Sequence, residues 1–471
     1  MSIMIDDFAT PHSQDQSSCH FNLSQRLQSW STHRIQTSQE TQVVDVIGRV
    51  TKINGILVES RIADARIGDL CTIHGQGEHN VLAEIIGFSS DIVLLSALGA
   101  LEGISVGASI TPHYQAHCIE SNESLLGSVF DGFGRLLQGK KDAFTLEEGD
   151  QTSRVIRDAI TPTQRPRISQ PMPTGVRAID GLLTIGEGQR IGVFAGAGCG
   201  KTTLLAELAR NMPCDVIVFG LIGERGRELR EFLDHELDEE LRSRSVLVCS
   251  TSDRTSMERA RAASTATAIA EGFRAQGKRV LLLIDSLTRF ARAQREIGLA
   301  AGEPPGRGGF PPSVYTMLPR LVERAGNMEG AGSITALYTV LIEGDVIAGD
   351  PVADEVRSLL DGHIILSRKL AEKNHYPAID VLGSISRTMP NVTNRDHVQS
   401  AAVLRNLMSA YKEVEMLIRL GEYEQGNDPL TDTAVNLNST ITDFLRQDMR
   451  DPNAFQDTLF ALSRLSQHAA T

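Results

Sequence analysis

The chain has 471 residues, with 46 Lys and Arg against 59 Asp and Glu and a formal charge of −13; that leaves room for two or three domains, and bulk electrostatics give no reason to expect a nucleic-acid-coating protein, although a local basic channel is compatible with it. Six scattered cysteines (Cys19, Cys71, Cys118, Cys199, Cys214, Cys249) without CxxC spacing point to free thiols rather than to a disulfide or zinc framework. No basic segment followed by an apolar one marks a secretory signal, and no apolar stretch approaches bilayer length, so any membrane association is expected to be peripheral.

Residues 1–40 are rich in Ser, Thr, Gln and His and predict a poorly ordered tail or a short adaptor helix around Phe21–Trp30. Over 41–112 the character changes. Short β-prone runs at Val43–Val50, Gly55–Val58, Asp69–Ile73, Val81–Phe88 and Asp91–Leu95 are separated by polar turns. That spacing predicts a small barrel, and this block by itself also suits another small β-domain. From 113 to 395 strands and helices are expected to alternate. Ile191–Phe194, Val216–Leu221, Val246–Cys249 and Val280–Ile284 are apolar without polar alternation, as strands buried on both faces of a parallel sheet are. A helix is predicted over 256–276, with later strands at Ser333–Leu341 and His363–Ser367. The Pro- and Gly-rich stretch 301–313 reads as an exposed, conformationally specific loop. Beyond 396 the pattern is helical, with Val403, Leu407, Tyr411, Val414 and Leu417 at helix spacing. The expected organisation is therefore a tail or adaptor at 1–40, a β-barrel at 41–112, an α/β domain at 113–395 and a helical domain at 396–471.

One motif carries chemistry. Gly196-Ala197-Gly198-Cys199-Gly200-Lys201-Thr202 follows an apolar run and precedes Thr203-Leu204-Leu205. Strand, glycine turn, Lys-Thr and helix is the arrangement that cradles nucleotide phosphates. The glycines let backbone N–H groups converge on an anion, and the helix N-terminus faces the same charge. Lys201 can reach the β- and γ-phosphates, and Thr202 offers a hydroxyl to Mg2+. The strict pattern begins with glycine where this chain has Ala195. Asp285 ends the strand Val280–Ile284, where open α/β sheets bind ligands, and can hold Mg2+ through water. Glu224 stands at another strand end, in Gly223-Glu224-Arg225-Gly226-Arg227-Glu228. It either orients the attacking water or belongs to a surface salt-bridge cluster with its charged neighbours. Arg225 could steady the γ-phosphate or that carboxylate. Tyr376, before a rigid proline, could stack on a base. Nothing in the local pattern marks Arg387, and His235, His363 and His375 show no metal-ligand spacing.

Together these stretches resemble the rotary-type, RecA-fold ATPases, and within them the ATPases of bacterial type III secretion systems. The matching residues are Gly175–Leu183, Gly186–Arg190, Phe194–Thr202, Gly223–Glu228, Pro304–Pro312 and Tyr376–Arg387. Cysteine at 199 is similar to the injectisome type, flagellar relatives usually having valine there, and Ala195 is common among secretion ATPases. The resemblance implies a RecA-like P-loop core with an N-terminal small β-barrel and a C-terminal helical domain. It implies that Gly196 to Thr203 bind ATP with Mg2+, that Glu224 is the catalytic glutamate and Arg225 a phosphate-sensing arginine. Tyr376 would stack on adenine, and Arg387 would be an arginine finger reaching the neighbouring subunit's site. The active form would be a homohexameric ring at the cytoplasmic face of the inner membrane. Its implied partners are a central stalk protein, a stator or regulator, secretion chaperones with their exported proteins, and the export gate.

Three competing readings make different demands. A Rho-like nucleic-acid translocase would bring basic and aromatic contacts, yet the only aromatic residue in 41–112 is Phe88. A flagellar export ATPase or a catalytic subunit of an F-type ATP synthase is nearer; the latter requires distinct partner subunits. A non-hydrolysing regulatory subunit would not need Lys201, Thr202, Glu224, Asp285 and Arg387 together.

Overall fold

Six antiparallel strands close on themselves between Gly48 and Ala116. They are β1 (Gly48–Asn54), β2 (Leu57–Arg61), β3 (Asp69–His74), β4 (Asn80–Ser89), β5 (Ile92–Ala97) and β6 (Ser109–Ala116), in the order β1-β2-β5-β4-β3-β6. The computed structural model describes residues 30–31, 47–77, 79–149, 151–342, 349–448 and 450–469. Cys19, the first residues of the run at 43–50, and the adaptor expected around Phe21–Trp30, Trp30 apart, lie outside the described residues. Strand alternation turns Val50, Val58, Ile73, Val81, Ile85, Leu95 and Ile110 into the barrel interior. Five β-prone runs were legible here; closure depends on a sixth. β6 reads Ser-Ile-Thr-Pro-His-Tyr-Gln-Ala, too polar to announce itself, and it runs beyond the expected boundary at 112. By pairing with both β1 and β3 it removes the open edges that an unclosed sheet would expose.

Strand–helix alternation does not begin at 113. Five short strands come first: β7 (Cys118–Glu120), β8 (Val129–Phe130), β9 (Leu136–Gln138), β10 (Phe144–Thr145) and β11 (Thr152–Arg154). Runs of two or three residues are too short for a hydrophobic period to show. β10, β7 and β11 form a small antiparallel sheet, while β8 and β9 extend an edge of the main one. The barrel is tied to the core by an ion pair between Glu84 and the buried Arg261, and by Leu70 and Leu98 packing with Phe133 and Met257.

The main sheet adds β12 (Arg190–Ala195), β13 (Val216–Glu224), β14 (Ser245–Thr251), β15 (Arg279–Asp285), β16 (Ser333–Leu341), β17 (Gly362–Leu366) and β18 (Ile385–Ser386). Its order is β18-β17-β12-β16-β15-β13-β14-β8-β9, parallel from β17 to β8 with an antiparallel strand at each edge. Both faces are buried, which is why these strands read as unbroken apolar runs. Leu281 and Leu283 of β15 enter one core and Val280, Leu282 and Ile284 the other.

Ten helices of the described chain matter for the site and its surroundings: α1 (Arg177–Leu182), α2 (Lys201–Asn211), α3 (Gly226–Glu231), α4 (Ser256–Ala275), α5 (Leu287–Ala300), α6 (Pro312–Val322), α7 (Pro351–Leu359), α8 (Arg395–Leu420), α9 (Pro429–Leu445) and α10 (Phe455–His468). α4 starts at a Thr255 cap whose hydroxyl accepts from the Glu258 N–H at 3.2 Å, and its alanines let it lie close on the sheet. A Cβ on Gly220 of β13 would stand 3.1 Å from the Ala266 Cβ and 2.6 Å from the Ile284 Cδ1, so glycine is what permits that approach. The expected loop over 301–313 contains one 3-10 turn at Arg307–Gly309. Its last two residues, Pro312 and Ser313, instead begin α6, because a proline's fixed φ and missing N–H suit the first helical turn. On α8 the expected stripe is buried at Leu407 but emerges at Leu417, beside exposed Met416 and Leu420. Among the described residues no helix is long and apolar enough to cross a membrane.

Candidate active site

β12 delivers the glycine turn. Gly198 and Gly200 both have φ of 78°, the left-handed region that a side chain strains, and Gly200 is the residue from which α2 departs. Ala195 is the last residue of the strand itself, buried and paired with Leu341 and Leu366 on either side. Extended backbone makes no demand for glycine, so the departure from the strict motif costs the turn nothing. The N-terminus of α2 then points its free N–H groups at the space beyond the loop. Cys199 is buried, and among the described residues Cys71, Cys118, Cys214 and Cys249 are free thiols. Burial pushes the Cys71 and Cys249 thiols up to about 12.

Parallel register brings the charged residues together. Ala195, Glu224 and Asp285 lie at the C-terminal ends of β12, β13 and β15, the edge where open α/β sheets bind ligands. The Lys201 Nζ donates to Asp285 Oδ1 at 2.6 Å and stands 3.8 Å from Glu224 Oε1. The Thr339 hydroxyl donates to the same Asp285 Oδ1 at 2.6 Å. The Arg289 Nη2 lies 3.2 Å from Glu224 Oε2, and its Nη1 donates to the Gly223 carbonyl. Lys201, Glu224, Asp285 and Arg289 line a cleft of about 960 Å3 together with Gly196, Ala197, Gly198, Gly200, Thr202, Thr203, Arg225 and Glu228. The volume suits a nucleotide-sized ligand.

Burial raises the Glu224 carboxyl to about 7, reinforced by the Asp285 charge and by a hydrogen bond with Glu228, and opposed by Lys201 and Arg289. The exposed Glu228 is correspondingly held low, so the proton of the pair resides on Glu224. A carboxyl that titrates near neutrality can accept a proton from water only above that pH. The acid limb of kcat/KM is therefore expected near pH 7, with activity rising as pH rises. Glu228→Ala removes the acceptor that holds the Glu224 proton and should move the limb to lower pH. A pH–rate profile checks this, and a limb that stays in place assigns the titration to another group.

The remaining candidates are not all at this cleft. Arg225 lines it, but its guanidinium is exposed and 3.8 Å from Glu228, a loose contact. Tyr376 borders an adjoining recess of about 390 Å3, shared with Cys199, Gly200, Thr203, Gln447 and Asp448. Arg387 follows edge strand β18, its N–H donating to the Asp361 carbonyl at 2.9 Å and its side chain exposed; it lines neither space. His235 lines the cleft, whereas the His363 ring bonds the Gly383 carbonyl at 3.1 Å and His375 is buried away from it. Sequence reasoning did not single out Arg289, Thr339 or Gln447. Arg289 carried a signal, being one helical turn beyond Asp285; Thr339 and Gln447 sit in ordinary strand and loop contexts.

The donor set fits Mg2+ bound with a nucleotide. Both side-chain hydrogen bonds of Asp285 fall on Oδ1, leaving Oδ2 for a metal's water, and the exposed Thr202 lines the same cleft. Among the described residues no three His, Cys, Asp or Glu cluster as a metal cage, and Mg2+ does not need one, since phosphates and water complete its shell.

Comparison with known proteins agrees for the barrel, the sheet domain and the C-terminal helices. Residues 50–113 match the ATP synthase alpha/beta family, beta-barrel domain; 175–386 match that family's nucleotide-binding domain; and 393–464 match the T3SS EscN ATPase C-terminal domain. A type 3 secretion system ATPase from Pseudomonas savastanoi pv. phaseolicola is 65% identical over 442 residues, covering 93% of this chain and 98% of the relative. The assembled ATPase EscN from the enteropathogenic E. coli type III secretion system superposes with a TM-score of 0.82 at 46% identity, over 89% of this chain and 100% of that one. EscN in complex with its central stalk EscO gives 0.80 at 45% identity, with the same coverage.

Proposed function

The chain belongs to the type 3 secretion system ATPases, and on that premise we propose that it hydrolyses ATP at sites shared between the subunits of a homohexameric ring, energising chaperone release, unfolding and export of proteins. The observation that carries this is the meeting of Lys201, the first residue of α2 after the glycine turn, with Glu224 and Asp285 at two strand ends.

The phosphates of ATP lie along Gly196 to Thr203, with backbone N–H groups and the α2 terminus opposing their charge. The Thr202 hydroxyl, and Asp285 through water, would hold Mg2+ bound with the nucleotide, and the ion would supply charge neutralisation to the phosphates. Lys201 leaves its resting contact with Asp285 for the phosphates; the carboxylates of Asp285 and Glu224 are what keep it aimed before ATP arrives. Ionised Glu224, held by Arg289, accepts a hydrogen bond from water and aligns it with the γ-phosphorus. The new bond joins the water oxygen to phosphorus, the bond to the ADP oxygen breaks, and the water proton leaves with Glu224 or the phosphate product. Negative charge grows on the transferring group, where Lys201, Arg225 and the neighbouring subunit's copy of Arg387 oppose it. An isolated subunit lacks that last cation, which is why the exposed edge position of Arg387 favours a shared site.

EscN was solved with a central stalk, and a comparable stalk inside this ring, a stator or regulator, the export gate and chaperone–substrate complexes are the partners of the reading. The enzyme works at the cytoplasmic face of the inner membrane as a peripheral component. Specific ATPase activity measured against protein concentration, with molar mass followed by light scattering, tests it. Turnover per subunit should rise as the ring forms, and activity independent of assembly overturns the shared site.

A further inference from the structure

Gln447 joins three segments that meet beside the recess holding Tyr376. It comes two residues after α9, whose last carbonyls are met from α1: the Arg177 Nε donates to the Phe444 carbonyl at 2.7 Å, and Nη2 reaches those of Asp443 and Arg446. A cation there complements the helix dipole and satisfies carbonyls that have no partner within the helix. The Gln447 carboxamide is buried and fully used. Its Oε1 accepts from the Arg177 N–H at 2.9 Å, and Nε2 donates to the Gly175 carbonyl at 2.7 Å and the Asp451 carbonyl at 2.9 Å. Its own backbone N–H donates to the Tyr376 carbonyl at 2.9 Å. Gly175, at φ of 75°, packs so closely that a Cβ would stand 2.9 Å from the Pro452 Cβ. Gln447, Asp448 and Arg450 form one wall of the 390 Å3 recess, facing Tyr376 and Gly200.

Phosphate chemistry makes no use of this residue. We propose that Gln447 is a positioning residue for the nucleotide base: it holds Tyr376 and the wall of Gln447, Asp448 and Arg450 at one separation, and so links base binding to the seating of the C-terminal helices. The inference rests on Tyr376 being the base platform. The carboxamide ties the Gly175–Arg177 segment, before the phosphate strand, to Asp451 beyond the end of α9, and the backbone N–H of the same residue holds the Tyr376 carbonyl; loss of the side chain leaves the Arg177 N–H and the Gly175 and Asp451 carbonyls without that partner, so the turn that carries the Tyr376 contact is no longer fixed.

The test compares ATP with inorganic tripolyphosphate, which has the phosphates and no base, on the full chain with Mg2+. In Gln447→Ala, KM for ATP should rise about tenfold, more than kcat falls, while tripolyphosphate affinity stays within about twofold of wild type. ATP should also slow amide exchange in α9 and α10 of wild type and lose that effect in the variant. Arg177→Lys, which keeps the charge and loses the fork, should give a weaker version of the same split and serves if the alanine variant does not fold. Equal loss of ATP and tripolyphosphate affinity overturns the proposal, since Gln447 would then be supporting the phosphate loop. A wild-type preference for ATP that Gln447→Ala retains in full overturns the proposal alone. A wild type that binds ATP no better than tripolyphosphate overturns the base platform and the proposal with it.

Discussion

Lys201→Ala is expected to lower ATP turnover by about 10^3-fold, the cost of removing a preorganised cation from a phosphoryl-transfer site, and to weaken nucleotide binding as well. The structure adds a second consequence. Lys201 is the cation 2.6 Å from Asp285 and 3.8 Å from Glu224, so its loss leaves two carboxylates facing one another with only Arg289 to offset Glu224. Glu224, already raised to about 7, then holds its proton to still higher pH, and any residual activity should show an acid limb above the wild-type position. Glu224→Gln is the complementary variant: ATP binding persists while turnover falls by about 10^2- to 10^4-fold. Its stability effect has a definite sign. A carboxyl whose folded pKa lies above its unfolded value favours folding below about 4.5, and that contribution is lost as pH rises through about 7. The glutamine, which never ionises, should therefore raise the melting temperature at pH 8 and change it little at pH 5. Turnover, fluorescent-nucleotide binding and thermal melting at both pH values check the pair. Lys201→Ala within tenfold of wild-type turnover would move the phosphate site elsewhere.

Arg387→Ala should cost as much, about 10^3-fold or more, the worth of an arginine finger, without loss of assembly or of ATP binding. Its position explains both halves. The residue follows edge strand β18, held only by its backbone N–H on Asp361, with the guanidinium in solvent and outside the cleft lined by Lys201 and Glu224. The decisive measurement mixes Arg387→Ala with Lys201→Ala. If each site takes Lys201 from one subunit and Arg387 from the next, random equimolar rings restore both groups at about one interface in four, so activity should reappear at about a quarter of wild type. If Arg387 served its own subunit, no mixture would regain activity.

The amino-acid order alone was sufficient for much of this. Glycines at 198 and 200 are needed where φ is positive, and unbroken apolar runs marked strands buried on both faces, so the phosphate turn, the sheet and the family were legible. The barrel was legible at its apolar strands and not at polar β6, whose partners β1 and β3 are what make it a strand. Glu224 was open to a second reading as a surface ion-pair residue; the fold sets its carboxylate between Lys201 and Arg289. What only the tertiary structure decided is proximity. Parallel pairing sets Leu221 of β13 opposite Asp285 of β15, and that register carries Glu224, Lys201 and Asp285 into one buried cluster. Burial and the neighbouring charge then lift the Glu224 carboxyl toward neutrality. Arg289, Thr339 and Gln447 gain their roles the same way, through partners 65, 54 and 71 residues away in the chain (289 − 224, 339 − 285 and 447 − 376). Local sequence sets backbone preference over a few residues; desolvation and charge pairing depend on segments that only folding brings within a few ångströms.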